Sequence, residues 1–467
     1  MRIQTIAYLP PVLDVSTSVA TVVRRSTRAR HETSPHLRIA AVGDVSRPSG
    51  EQVALEASWP TLDPMALYGL PGEVVNTLRP HTESDPAALL VSFLTAAGNA
   101  MGSGPHAVAD GAHHPARLFP IVVGRSSRSR KGTSWRNIHN VMREADPDWA
   151  DARVLSGLSS GEGLIAAVGD GEETRDGEIV GAVEDKRLLV VEQEFSRVLT
   201  VKAREANTLS AIVRDAYDNG DLRSMTKRPL VATGAHVGLL GHITIPELRR
   251  SLTETDMANG FGNRFLWVLA RRGPLLPNGG NMDDRELTRL GQTVADALAR
   301  GRRLGRMSRS PEAEVRWETV YRELAAEDEC EGLAETLLAR GEAQLLRLSL
   351  IYAALDGSAR IELSHLRAAE AVWRYCAASV RYIFGEATGD PVAERILAAV
   401  TKAGPDGLDR AAQSDLFQRH HPAKRLEQAR NLLLARHAVA EVQQVTDGRS
   451  RHVLKLAKYA NEANEAP

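Results

Sequence analysis

The sequence predicts an α/β domain built on a parallel sheet, with helices before and after it and a small helix-and-hairpin module at its end. Three observations carry this reading. Short β-branched runs at Leu118–Val123, Leu188–Val191, Leu230–Thr233 and Phe265–Ala270 alternate with helical segments, the pattern of a parallel sheet in a layered α/β structure. Those runs are apolar without alternation, which suits strands covered on both faces. From Pro391 the order is helix, helix, turn, helix over 422–436, strand AVAEVQQV, turn TDGRS and strand RHVLKLA, the element order of a winged helix-turn-helix.

Taken along the chain, residues 1–58 have weak periodicity, scattered Pro and Ser, and a basic cluster at Arg24, Arg25, Arg28 and Arg30. They are expected to form a disordered or irregular arm, with a DNA-touching arm as the sharper alternative. An N-terminal helical segment is expected over 59–114. Asp85-Pro86 is a good helix start, and AALLVSFLTAAGNAMG is apolar nearly all round, as a buried helix is. The sheet occupies 115–280. Segments near 283–301, 311–328, 333–356 and 363–384 repeat apolar residues at three-to-four spacing, which predicts a helical lid over 281–386. The terminal module fills 387–467, after a linker at Gly385 to Asp390.

The bulk composition excludes some classes of function. Apolar residues make up 43% and charged residues 25% of 467, ordinary for a globular protein. No stretch approaches the roughly 18 to 20 apolar residues of a membrane helix, and no secretory leader is recognisable. Two isolated cysteines, Cys330 and Cys376, argue against a disulfide framework or a cysteine-rich zinc site and fit a reducing cytoplasm. A net charge of −1 means that any nucleic-acid surface must be local.

The most informative stretch is LFPIVVGRSSRSRKGTSWRNI, residues 118–138. An apolar strand ends in Gly124, a polar loop follows, and Lys131-Gly132-Thr133-Ser134 leads into a helix. A phosphate-binding loop needs this layout: backbone N–H groups and a helix N-terminus cradle phosphate, a lysine reaches the terminal phosphates, and a hydroxyl holds Mg²⁺. The loop is one residue longer than the usual G-x-x-x-x-G-K-[ST], and a glycine separates Lys131 from Thr133. Arg125, Arg128 and Arg130 add positive charge nearby. A basic surface turn is the alternative.

Downstream, KRLLVVEQEFSRVL ends a strand in Glu192 and Glu194. In phosphate-loop ATPases an acid here supports the Mg²⁺ shell and a neighbouring glutamate polarises the attacking water. That assigns Glu192, with Thr133, to the metal and Glu194 to the water; a strand simply ending at solvent is the alternative. In RPLVATGAHVGLLGHIT, Thr233 and His236 are candidates to sense the terminal phosphate. Of the other histidines, none of His113, His114 or His242 has metal-ligand spacing. In NGFGNRFLWVLARR, Arg264 sits just before a strand, beside Gly260 and Gly262, where an arginine at a subunit edge could stabilise transferring phosphate in a neighbour.

In the C-terminal module, Lys424, Arg425, Arg430 and Arg436 fall on the expected recognition helix, and Arg449, Arg451 and Lys455 on the hairpin. Such residues neutralise DNA phosphates. Gln428 and Asn431 are the few candidates for base contacts, so weakly specific binding is expected. A module used for protein contacts, or as a lid, is the alternative.

Two resemblances add to these readings. DPMALYGLPGEVVNTLRPHTESDPAALLVSFLTAAGNAMG followed by VVGRSSRSRKGTSW resembles an uncharacterised P-loop ATPase family of phages, plasmids and integrative elements, often found beside or fused to primase-polymerase domains. The resemblance runs from about Leu62 to Gly385, and RKGTS is its most specific part. No polymerase activity is carried over. More distantly, the chain is similar to AAA+ helicases of the minichromosome-maintenance type. There an acidic pair precedes phenylalanine, as Gln193-Glu194-Phe195 does here, although Gln193 stands where an aspartate is expected. A ring-edge arginine also precedes phenylalanine, like Arg264-Phe265. A lid helix resembling ARGEAQLLRLSLIYAAL carries a sensor arginine, which implies Arg340, with Arg347 as second choice. Together the resemblances imply an α/β P-loop NTPase, AAA+-like, with N-terminal helices, an α-helical lid and a C-terminal winged helix. ATP and Mg²⁺ would be bound between subunits of a homo-oligomeric ring, acting on DNA with a primase-polymerase encoded nearby. A nucleotide-switched DNA-binding protein with little hydrolysis is the first rival, and a scaffold with a vestigial fold is the second.

Overall fold

The computed structural model describes residues 59–126, 129–204, 207–226, 229–328, 333–384, 390–418, 420–435, 438–444, 451–457 and Tyr459. The arm before residue 58, Cys330, Arg128, Arg436 and Arg449 lie outside them. No helix among the described residues is long and apolar enough to cross a membrane.

Five parallel strands form the central sheet: β1 (Pro120–Gly124), β2 (Val154–Leu155), β3 (Arg187–Glu192), β4 (His236–Thr244) and β5 (Leu266–Ala270). Their spatial order is β5-β1-β4-β3-β2. Thr244 and Ala270 both lie level with Gly124, so three strand ends share one edge. Strand β3 stops earlier, with Glu192 opposite Gly241, which brings Gln193 and Glu194 up to the level of His242 and Ile243. Every residue of β1 and β5 is buried, as strands covered on both faces require.

The sequence expectation was right for β1, β3 and β5 and misplaced β4. The run Leu230–Thr233 supplies only a two-residue ladder at Val231–Ala232; the sheet strand is the following nine residues, His236–Thr244. Gly238 and Gly241 dilute the β-branched signal there, yet packing demands a glycine at 241. A Cβ on Gly241 would come within 2.5 Å of Ile121 Cδ1. The two-residue edge strand β2 was not foreseen.

Helices α1 (Gly69–Leu78) and α2 (Pro86–Met101) precede the sheet. Asp85 caps α2 through Ala87 N, with Pro86 at the first helical position. From Ala87 onward all of α2 is buried. Its Asn99 bridges the sheet, donating to Leu188 O and His236 O and accepting from Trp149 Nε1. A buried amide satisfied on three sides fixes the helix against β3 and β4. Helices α1 and α2 therefore share the sheet's own core, whereas the end of the expected helical segment, His106–Ala109 with Ala112–Pro115, forms an antiparallel hairpin.

Between strands run α3 (Lys131–Ala145), α4 (Pro147–Ala152), α5 (Gly161–Ala166), α6 (Phe195–Lys202), α7 (Leu209–Asp218), α8 (Ile245–Ser251) and α9 (Glu254–Ala258). A short antiparallel hairpin, Glu172–Glu173 with Ile179–Val180, stands between α5 and β3. After the sheet come α10 (Asp284–Arg302), α11 (Pro311–Asp328), α12 (Leu333–Leu338), α13 (Gly341–Leu355) and α14 (Leu363–Phe384). The expected helix over 333–356 is broken, with Arg340 at the N-cap of its second half. These helices share one continuous apolar core with the sheet. Helix α14 lies against β5, where Tyr375 donates to Leu269 O and Ser379 Oγ accepts from Leu269 N. Cys376, on the same helix, is fully buried, and burial pushes its thiol up to about 12.

The C-terminal residues carry a second core around Ile396, Val400, Leu426, Ala429, Leu433 and Leu454. Helices α15 (Pro391–Ala403), α16 (Arg410–Asp415) and α17 (Ala423–Ala435) pack with a three-stranded antiparallel sheet of β6 (Leu408–Asp409), β8 (Arg451–Leu456) and β7 (Val439–Gln444), in that order.

Candidate phosphate-binding site

In a parallel sheet the carboxyl ends of the strands face one crevice, opened where neighbouring connections run in opposite directions. Here that crevice is a cavity of about 460 Å³ lined by the start of α3, the residues after β3 and the end of β4. Its size suits a compact charged ligand.

The loop after β1 folds tightly onto its own strand. A Cβ on Gly124 would lie 2.6 Å from Ser129 Cβ and 3.0 Å from Lys131 Nζ, so only glycine lets the loop close this way. Arg130 is left-handed, at φ 56°, and turns the chain directly into α3. Lys131 is 8% exposed, lines the cavity, and donates to Ser126 O at 3.0 Å. Burial lowers its pKa, an effect opposed by the carboxylate of Glu247. Gly132 and Thr133 also line the cavity at the helix N-terminus, where backbone N–H groups favour anions. Ser134 does not: it is fully buried and its hydroxyl donates to Lys131 O at 2.6 Å.

Of the extra arginines of this loop, Arg125 and Arg130 are described and both have partners, although Arg130 also lines the cavity. Arg125 donates to the Tyr382 hydroxyl and stacks over the rings of Trp59 and Tyr382. Arg130 pairs with Glu83 at 2.9 Å, and Glu83 also holds Arg272 at 2.7 Å. The Leu276 amide, then Arg272 and Arg130, keep the Glu83 carboxyl below its ordinary range. Arg136, one turn into α3, lines the cavity and was not foreseen.

From β3 the cavity receives Gln193 and Glu194, both exposed. Gln193 Oε1 approaches to 3.4 Å of the position a Cβ on Gly132 would take, so the amide faces the start of α3. Glu192 requires a correction. Its carboxylate is 5% exposed and accepts from Gly157 N and Leu158 N, each at 2.6 Å. The pleat turns it away from its neighbour Gln193, towards the loop after β2. It does not line the cavity that Thr133 lines.

The phosphate-sensing candidates also change. His236 opens β4 at the opposite end of the sheet, its Nε2 3.2 Å from Gly98 O, and Thr233 is bonded to Asp170 at 2.7 Å. At the cavity stand His242 and Thr244 instead. Thr244 and Glu247 form a reciprocal cap on α8. His242 is 1% exposed and neither ring nitrogen has a partner. Burial, then the charge of Lys131, lowers its pKa to about 4, so the ring is neutral at pH 7. A buried polar ring without a partner costs free energy unless something fills the space beside it. Its place two residues before the end of the apolar run of β4 was the signal that could have found it.

Arg264 and Arg340 are brought together, far from Lys131. Arg264 precedes β5 at the amino edge, a strand length of roughly 17 Å from the carboxyl edge. It is 7% exposed and pairs with Asp218 at 2.6 Å; Arg340 pairs with the other oxygen of Asp218 at 3.0 Å. Arg347 is fully buried, donates to Tyr217 O and lies 4.0 Å from the Tyr217 ring centroid. Within one chain neither Arg264 nor Arg340 reaches the cavity.

On the C-terminal module the expected basic face is thinner than the sequence suggested. Arg425 forms a bidentate pair with Asp390 at 2.6 and 2.7 Å, and Arg430 is 9% exposed. Lys424, Gln428 and Asn431 are exposed on α17, and on β8 Arg451 is 3.5 Å from Asp409. Arg449 lies outside the described residues.

Among the described residues no group of three or more His, Cys, Asp or Glu side chains is placed to hold a metal ion. No known family model matches the sequence, and no curated protein matches it either.

Proposed function

We propose that this chain binds ATP with Mg²⁺ at the carboxyl edge of its sheet and couples nucleotide turnover to DNA, as a helicase-like replication ATPase of a mobile element. The observation that carries this reading is the convergence of Lys131, Thr133, Glu194 and His242 on one cavity at the start of α3. The donor set fits a polyphosphate: a cation reaches in from the loop, a helix N-terminus faces the cavity, and His242, whose ring nitrogens have no partner within the protein, lines it. It fits the metal less fully, because Thr133 is present while Glu192 is committed elsewhere. Bound Mg²⁺ would neutralise charge on the phosphate oxygens.

In this reading Lys131 holds the terminal phosphates, and the Thr133 hydroxyl supports the metal. Glu194 accepts a proton from the attacking water, and His242 donates a hydrogen bond that reports the terminal phosphate. Arg264, at the opposite edge, acts only on nucleotide held by the next subunit of an AAA+-like ring. The C-terminal residues serve as a winged helix whose Lys424, Gln428 and Asn431 face DNA.

A second reading is favoured by a specific observation: Gln193 is neutral and Glu192 is turned away, which leaves Glu194 as the only acid following β3 in the cavity. With slow turnover the protein would act as a nucleotide-switched DNA-binding initiator. ATP turnover with and without single-stranded DNA, beside a Lys131→Ala control, decides between them. Turnover stimulated by DNA and abolished in the control supports the motor. Nucleotide binding without turnover supports the switch, and absence of binding removes both.

A further inference from the structure

One part of the surface is out of keeping with a strand-to-strand turn. The hairpin before β3 carries Glu172, Glu173, Asp176 and Glu178 against the single cation Arg175, and all are exposed. On its second strand Ile179 is 66% exposed and Val180 58%. Solvent-facing apolar residues on a two-stranded ribbon with free edges invite a partner. The hairpin's base is firm: Asp170 accepts from Lys186 Nζ at 2.6 Å and from Thr233 Oγ1 at 2.7 Å. The tip therefore projects from a fixed root. Its charge sets it against DNA phosphates and suits a basic apolar receptor.

Such a receptor exists on the same chain. A groove of about 670 Å³ runs along α8 and α9 to the C-terminal module. Leu252, Met257 and Phe384 form its apolar floor, and Arg249, Arg250 and Arg395 are exposed along it. Arg249 is anchored through Ile383 O at 2.7 Å, and Arg250 stands exposed beside it. The groove is large enough for two aliphatic side chains with the ribbon that bears them.

The two surfaces leave the sheet by opposite edges. The hairpin enters β3 at its amino end, and the groove begins at Pro246, just past the carboxyl end of β4. We infer that the acidic hairpin of one chain docks in the basic groove of a second copy, Ile179 and Val180 on the apolar floor and the carboxylates on the arginines. Because the two surfaces differ, the contact is heterologous and propagates head to tail. This rests on the ring reading above, and it has the polarity that reading requires, since Arg264 lies at the amino edge and the cavity at the carboxyl edge.

The test measures the mass of the full chain in solution with a non-hydrolysable ATP analogue, by sedimentation velocity. One variant carries Ile179→Asp and Glu178→Lys, the other Arg250→Glu and Arg395→Glu; circular dichroism checks that both fold. The wild type is expected to assemble, and each variant alone to run as a monomer. Their equimolar mixture is expected to give a dimer and nothing larger, since one intact hairpin meets one intact groove. Assembly of either variant to the wild-type size, or a mixture that stays monomeric, overturns the hairpin contact while leaving a ring possible. A wild type that is monomeric throughout removes the ring as well.

Discussion

Asp218 Oδ2 accepts from Arg264 Nη2 at 2.6 Å, at the edge of the sheet opposite the loop after β1. The other oxygen holds Arg340, so one carboxylate engages both arginines that the resemblance assigned to nucleotide in a ring. Burial works against the charge of Arg264, and Asp218 offsets it. An exposed ion pair contributes ~0–1 kcal/mol, whereas removing one partner of a buried pair costs ~3–5 kcal/mol. With Arg264 buried and Asp218 partly exposed, Asp218→Asn is expected to cost about 2 kcal/mol, between those limits. Nucleotide affinity of the single chain should be unchanged, because the cavity is a strand length away. Thermal unfolding and fluorescent-nucleotide titration of the variant check both halves.

His242 makes stability depend on acid. Its pKa in the folded chain is lowered from 6.5 to about 4. Between those values the unfolded chain takes up a proton that the folded chain refuses, so this contribution is complete above pH 6.5 and is lost as pH falls towards 4. The shift corresponds to roughly 3 kcal/mol. His236, lowered to about 3, acts in the same direction. Urea unfolding at pH 7 and pH 5 should show a loss on acidification that is smaller in His242→Gln by the share of one proton. An equal loss in the variant would mean that His242 does not titrate in this way.

What could be read in the sequence was what depends on local pattern. The apolar run of α2, the cap at Asp85 and the strand-loop-helix around Lys131 are each set by neighbours in the chain, and each appears where expected. Strand β4 was missed because Gly241 serves contacts with Ile121 and Phe195, residues remote in sequence. Glu192 and Glu194 look equivalent in sequence; only the register of β3 against β4 and the loop at Gly157 separates them. Arg425 and Arg430 likewise read as basic face until Asp390 and the module's own core claim them. The pairing of Arg264 with Asp218 spans 46 residues, and no local signal announces it.

The two acids after β3 should therefore respond differently to the same change. Glu192→Gln removes the charge from an acceptor of two backbone N–H groups. It is expected to cost about 1–3 kcal/mol of stability, the range for hydrogen bonds to charged groups, with nucleotide affinity intact. Glu194→Gln, exposed in the cavity, should leave stability within about 0.5 kcal/mol of wild type. It should lower turnover by roughly 100-fold or more if Glu194 accepts the proton of the attacking water. Unfolding curves and single-turnover hydrolysis on the two variants check the assignment. A turnover defect confined to Glu192→Gln would reverse it.

On α17 the neighbours Lys424 and Arg425 are set apart by Asp390. Lys424 is exposed and points to solvent, whereas Arg425 is held by both oxygens of Asp390 at the start of α15. Each lysine or arginine that neutralises a duplex phosphate steepens the fall of log affinity with log salt by about one. If the module binds DNA as proposed, Lys424→Ala makes that slope shallower by this amount, weakening DNA binding more at low salt than at high salt. Arg425→Ala should instead destabilise the C-terminal module, since Asp390 also caps α15 through Val392 N and Ala393 N. Fluorescence anisotropy across a salt series, with thermal unfolding of each variant, separates the two effects. A changed salt slope in Arg425→Ala with unaltered stability would show that the ion pair opens to meet DNA.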